Sequence, residues 1–123
     1  MFNKSLVVSI LQQISDALGD IETGTRHVND WRFFTDSPEG KEKLAGVCML
    51  FAAVGEALKQ IDKITSGTIF LNHPEIDWKG AMSFRDVIVH HYFDIDAEEV
   101  FWICKKELAP LSQTIKKIIE NLR

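Results

Sequence analysis

The sequence predicts an all-α fold, an up-and-down bundle of four main helices with short extra helices, and three observations carry that prediction. Apolar residues recur at alternating steps of three and four over several long stretches, which gathers them on one stripe of a helix. Ser, Asp and Pro stand where helices start. No stretch shows the strict alternation of a half-buried strand, and no long internal repeat is present.

Leu6, Val7, Ile10, Leu11, Ile14, Ala17, Leu18 and Ile21 form the stripe of a first helix, with Asn3 or Ser5 as its cap and Gly19 either tolerated or weakening its end. Residues 23–37 are less periodic and hold the aromatic cluster Trp31, Phe33 and Phe34, so they form either a short second helix or a loop whose rings cover the bundle end. Ser37-Pro38 reads as a cap followed by proline at the first helical position, where its missing N–H costs nothing. The longest pattern follows over residues 41–64. Leu44, Val47, Cys48, Phe51, Val54, Leu58 and Ile61 share one stripe, which Met49, Leu50, Ala53, Ala57 and Ile64 widen past one face. A helix apolar over so much of its circumference is the central one.

Thr65-Ser66-Gly67 ends that helix, and the following connection has one apolar turn, Ile69-Phe70-Leu71, halted before Pro74. Asp77 caps a helix from Trp78 to about His91. Asp94-Ile95-Asp96 breaks the pattern, and Asp96 with Glu99 makes an acidic variant of a capping box. The last helix carries Val100, Phe101, Ile103, Cys104 and Leu108, then Leu111, Ile115, Ile118, Ile119 and Leu122, with Pro110 giving a kink or a restart.

The 123 residues, 46% hydrophobic and 26% charged, fit one globular domain spanning 1–123 that can bury a core without disulfides or a structural metal. Cys48 and Cys104 lie in apolar helical patterns without C-x-x-C spacing, which makes them buried thiols of a reducing compartment. The amino terminus lacks the features of a signal peptide, and no stretch reaches the roughly 18 apolar residues of a membrane span. The expected location is the cytoplasm, with no membrane partner. A net charge of −4 argues against a general nucleic-acid coat. Residues 75–99 concentrate acids, whereas 105–123 are net basic, so any RNA contact at the centre of the chain is local or completed by another surface.

The chemistry gathers in Arg85-Asp86-Val87-Ile88-Val89-His90-His91-Tyr92, an R-x4-H-x-Y pattern. At about 100° per residue, Trp78, Ala81, Met82, Ile88, Val89 and Tyr92 fall within roughly 60° of Arg85, which therefore sits inside its own helix's apolar stripe. A guanidinium there must be paired, for example with Glu56, the one acid within the central helix's apolar run, or must face a partner or an anion. His90 lies about 140° from Arg85, so one continuous helix cannot aim both at one phosphate. Either the helix unwinds near His90, or Arg85 of one subunit meets His90 of a second across a two-fold axis. Asp86, four residues before His90, is near enough to accept a hydrogen bond from the ring and favour imidazolium, or simply makes a solvated pair. Adjacent His90 and His91 diverge on a helix, and zinc wants three or four convergent ligands, so no metal site is expected. His27 and His73 are distant and lone.

These residues, with Gly55-Glu56-Ala57, Ile76-Asp77-Trp78, and Tyr92-Phe93-Asp94-Ile95-Asp96 followed by Val100-Phe101-Trp102, resemble the HepT-like toxins of the HEPN superfamily over nearly the whole chain, from Leu6 to Leu122. The resemblance implies a helical bundle that forms a homodimer with the two motifs facing each other, which would also answer the angular problem. It implies a metal-independent endoribonuclease without a cofactor, paired with a minimal nucleotidyltransferase antitoxin that can transfer AMP to the motif tyrosine. Carried over, Arg85 would stabilise phosphorane charge and His90 would act as general base or acid, leaving a 2',3'-cyclic phosphate on the RNA. Tyr92 would be the modifiable phenol, while His91, at the motif's variable position, would assist proton transfer or crowd the site. The alternative is a non-catalytic HEPN subunit that presents a substrate, or Tyr92 itself, to the nucleotidyltransferase; a third is a structural bundle in which Arg85 is only ion-paired.

Overall fold

The computed structural model describes residues 1–123. The chain is all-α, with α1 (Lys4–Thr25), α2 (Pro38–Ile64), a single turn α3 (Thr68–Leu71), α4 (Trp78–His91), α5 (Ala97–Trp102) and α6 (Leu108–Leu122). Four of these are long, as the periodicity requires, and the short ones fall in the connections.

Each helix start follows its capping residue. The side chain of Asn3 accepts from the Leu6 N–H, Ser37 from Gly40, Asp77 from Gly80, and Asp96 from both Glu98 and Glu99, which satisfies donors that no earlier turn of helix can reach. The α2 helix stops at Ser66 and Gly67, both at positive φ, with the Gly67 N–H returning to the Asp62 carbonyl. Residues 23–37 combine both readings: α1 runs on to Thr25, then a 3₁₀ turn (Trp31–Phe34) buries Phe34 and Val28 over the end of the bundle. Gly40 lets that turn lie across the first turn of α2, because any Cβ there would collide with the Phe33 carbonyl.

The core is one cluster of 26 buried residues drawn from all the long helices, with the first helix supplying Val7, Leu11, Ile14, Leu18 and Ile21. Each such aliphatic side chain contributes about 1.5–3 kcal/mol by leaving water. Every buried side-chain nitrogen and oxygen has a hydrogen-bond partner; buried Thr25 and Thr65, for instance, donate to the carbonyls of Ile21 and Ile61. Cys48 and Cys104 are free and buried.

The long helices pack as a row, α6 on α1, α1 on α2, and α2 on α4, and α4 and α6 do not close extensively on each other. Flanked on two sides, α2 is long and apolar enough to pass as a membrane span by length and composition. This corrects the expectation that no stretch would qualify; its two apolar faces serve α1 and α4. The last helix runs unbroken through Pro110. A π turn (Ile103–Glu107) joins α5 to α6 just upstream, which loosens the backbone around the Lys106 carbonyl that the proline ring would otherwise meet.

Candidate functional site

The motif rides on α4, and α4 is fixed at its start. Trp78 stacks on Phe70 with ring centroids 4.1 Å apart, and its indole N–H donates to the His73 carbonyl at 2.8 Å. Trp78 and Ile88 are the only buried residues of the helix. Along its length α4 leans on α2 at Gly55, where a Cβ would lie 2.7 Å from the Cβ of Arg85 and 3.2 Å from the Ala81 carbonyl oxygen. Glycine therefore sets how closely the Arg85 backbone approaches the central helix.

At that crossing a charged network spans the two helices. Arg85 Nε lies 3.2 Å from Glu56 Oε1 in an ion pair and Nη1 donates to Asp86 Oδ1 at 3.0 Å, while Lys59 Nζ donates to both Asp86 oxygens at 2.9 and 3.0 Å. Arg85 thus pairs with Glu56 as the spacing allowed, but its side chain is 31% exposed, so this is a surface network and not a buried ion pair. The hydrogen bonds from Lys59 and then Arg85 hold the Asp86 carboxyl below its ordinary range.

Sequence spacing put Asp86 within reach of His90; in the structure Asp86 turns to Lys59 and Arg85 instead, since two full positive charges outcompete an imidazole. His90 and His91 are both exposed. Helical geometry continues through His91 and tightens to a 3₁₀ turn (Tyr92–Asp94) only after it, so the unwinding that might have swung His90 towards Arg85 comes too late in the chain. Within one chain Arg85 and His90 are not brought together. Tyr92 is half-buried, and burial, with Cys48 nearby, pushes its phenol above the ordinary value, so it is neutral at physiological pH.

The apolar stripe of α4 is only partly covered: Val89 is 51% exposed, and Phe93, edge-on to Tyr92, is 98% exposed. No three His, Cys, Asp or Glu side chains converge anywhere in the chain. Lys59 was missed by sequence reasoning. Its signal was its place on α2, three residues after Glu56 and so on the same face.

Comparison with known proteins bears on this arrangement. A family model described as Ribonuclease HepT-like matches residues 14–118, which include the whole Arg85–Glu56–Asp86–Lys59 network and the motif. The chain belongs to this family. It is 32% identical over 113 residues to the "Probable ribonuclease HepT" of Thermococcus cleftensis, covering 92% of each chain. It is also 28% identical over 120 residues to a candidate RNase of Methanocaldococcus jannaschii, covering 97% of this chain and 92% of that one. No solved structure matches the chain significantly. For a HepT-like protein, Gly55 and Glu56 now have physical roles: the first admits Arg85 to the helix crossing, and the second orients its guanidinium.

Proposed function

We propose that the protein is a metal-independent endoribonuclease that acts as a homodimer, the toxin of a toxin–antitoxin pair in the cytoplasm. The observation that carries the reading is the separation of Arg85 and His90 on one helix with exposed Val89 and Phe93 beside them. Apolar side chains left in water next to a split set of catalytic groups favour a second copy facing the first, so that Arg85 of one protomer meets His90 of the other.

In that arrangement His90 takes the proton from a ribose 2'-hydroxyl, whose oxygen attacks the adjacent phosphorus. The bond to the 5'-oxygen breaks, the leaving oxygen receives a proton from an imidazolium, and a 2',3'-cyclic phosphate remains. Arg85 has five N–H donors; Asp86 takes one, Glu56 sits in ion-pair range of Nε, and the rest are free to hold the charge that grows on the phosphoryl oxygens. Lys59 shares Asp86, so that carboxylate does not neutralise Arg85 alone. His91 stands beside His90 as an assisting group.

The test is cleavage of single-stranded RNA in EDTA by purified wild type, Arg85→Ala and His90→Ala. Wild type cuts, and each variant loses about 10²-fold or more in rate while keeping its helical circular dichroism. Cleavage that survives both substitutions sinks the mechanism.

One observation favours a second reading. Arg85 meets two carboxylates, and a site that bound no RNA could keep this network for structure alone. The protein would then be the non-catalytic partner of a minimal nucleotidyltransferase, with the neutral Tyr92 phenol attacking the α-phosphorus of ATP, pyrophosphate leaving and the transferase taking the proton. A mass gain of one AMP on Tyr92, absent in Tyr92→Phe, with no nuclease activity, would select it; gain of AMP together with loss of an existing nuclease activity fits the toxin reading and its antitoxin.

A further inference from the structure

We propose that the trough between α4 and the α5–α6 arm is a docking groove for a cationic, amphipathic helical segment of a partner protein. The row packing leaves this side of the bundle open, because α4 leans on α2 and does not close on α6. The opening is a groove of about 550 Å³ with Phe51 and Val54 of α2 as its floor, Ala81 and Phe84 as one wall, and Ile103 and Leu111 as the other. Two walls and an apolar floor offered by separate helices suit the side chains that a further helix presents at steps of three and four.

The rim says which segment fits. Glu75, Asp77, Glu99 and Glu107 edge the groove against Lys106 alone. Asp77 is engaged as a helix cap and Glu75 with His73, whereas Glu99 and Glu107 form no ion pair. A phosphate backbone would be repelled, and in a second copy, of net charge −4, the basic stretch 105–123 already forms a wall of that copy's own groove. A segment with Lys or Arg flanking apolar anchors matches both floor and rim. Occupancy would brace α4 on its unsupported side, and α4 carries Arg85 and His90, so the groove is placed to regulate the motif from behind. The docking itself does not depend on ribonuclease activity.

The probe is a synthetic helix with Leu at i, i+3, i+4 and i+7 and Lys elsewhere, beside a counterpart with Glu for Lys, titrated into the isotope-labelled full chain. Saturable amide shifts are expected at Gly80, Ala81, Phe84, Ile103 and Leu111 with the Lys peptide only. Glu99→Lys/Glu107→Lys should weaken binding about tenfold or more, and Asp16→Lys/Asp20→Lys, on exposed α1 surface, should not. Thermal melts of both double variants confirm the fold. Shifts spread over the surface, or equal weakening by both double variants, would overturn the proposal. So would the same shifts produced by an RNA oligonucleotide or by raising the concentration of the protein alone. Repeating the titration on His90→Ala separates the two readings, since docking there should be unchanged even where nuclease activity is lost.

Discussion

Asp86 is the residue on which the charged network turns, because it alone touches both cations. Its carboxyl is held below the ordinary range by Lys59 first and Arg85 second. A depressed folded-state pKa means that its contribution is present above the ordinary carboxylate range and is lost as pH falls through the lowered value. The Arg85 geometry should therefore persist through mildly acid conditions. Replacing Lys59 by Met removes the larger cause, and the Asp86 titration followed by carboxyl NMR should move up towards the ordinary range. The change in unfolding free energy should be small, because these groups are about a third to a half exposed and solvent screens them. The Glu56 contact was legible in the sequence because Glu56 is the single acid in the central apolar run. The choice of Lys59 over His90 was not, since it depends on how α2 and α4 are rotated about their axes.

Helices were legible where a local rule acts and illegible where a crossing decides. Asn3, Ser37, Asp77 and Asp96 each cap the helix that their side chains suggested, since a cap needs only the next three residues. The π turn before Pro110 has no such local signature, and the proline marked only its neighbourhood. Gly55 is the sharpest case of a crossing. Gly55→Ala should destabilise the fold by about 1–3 kcal/mol in urea unfolding, because its methyl would need α4 to move away at Arg85. Gly46, on the same helix, exposed and with nothing within 4 Å of an added Cβ, supplies the contrast. Gly46→Ala should stabilise by about 0.5–1 kcal/mol through helix propensity alone. Equal effects at the two positions would show that the α2–α4 crossing is not as tight as described. Gly55→Ala should also lower activity more than Gly46→Ala, since the displaced element carries the motif.

For the whole molecule, the buried thiols set an alkaline limit. Burial raises Cys48 and Cys104 from the ordinary 9.0 to about 11. A thiol whose folded-state pKa is raised leaves stability intact below the unfolded value and removes it as pH climbs through the folded one. Unfolding free energy should fall between pH 9 and about 11, and Cys48→Ala/Cys104→Ala should flatten that fall even though it lowers the plateau.

Assembly is the property least accessible to a single chain, yet the angular relation of Arg85 and His90 makes it testable. If each site takes Arg85 from one protomer and His90 from the other, a dimer of one Arg85→Ala and one His90→Ala protomer keeps one intact site. Random exchange makes half of the dimers mixed, so an equimolar mixture of the two inactive proteins should recover about a quarter of wild-type ribonuclease activity. Phe93→Asp, placing charge on the exposed ring position beside Tyr92, should abolish the recovery and yield monomers in sedimentation while leaving the melting curve of the bundle nearly unchanged. A site built within one protomer gives no recovery at any mixing ratio, and a Phe93→Asp monomer that still cut RNA would point the same way.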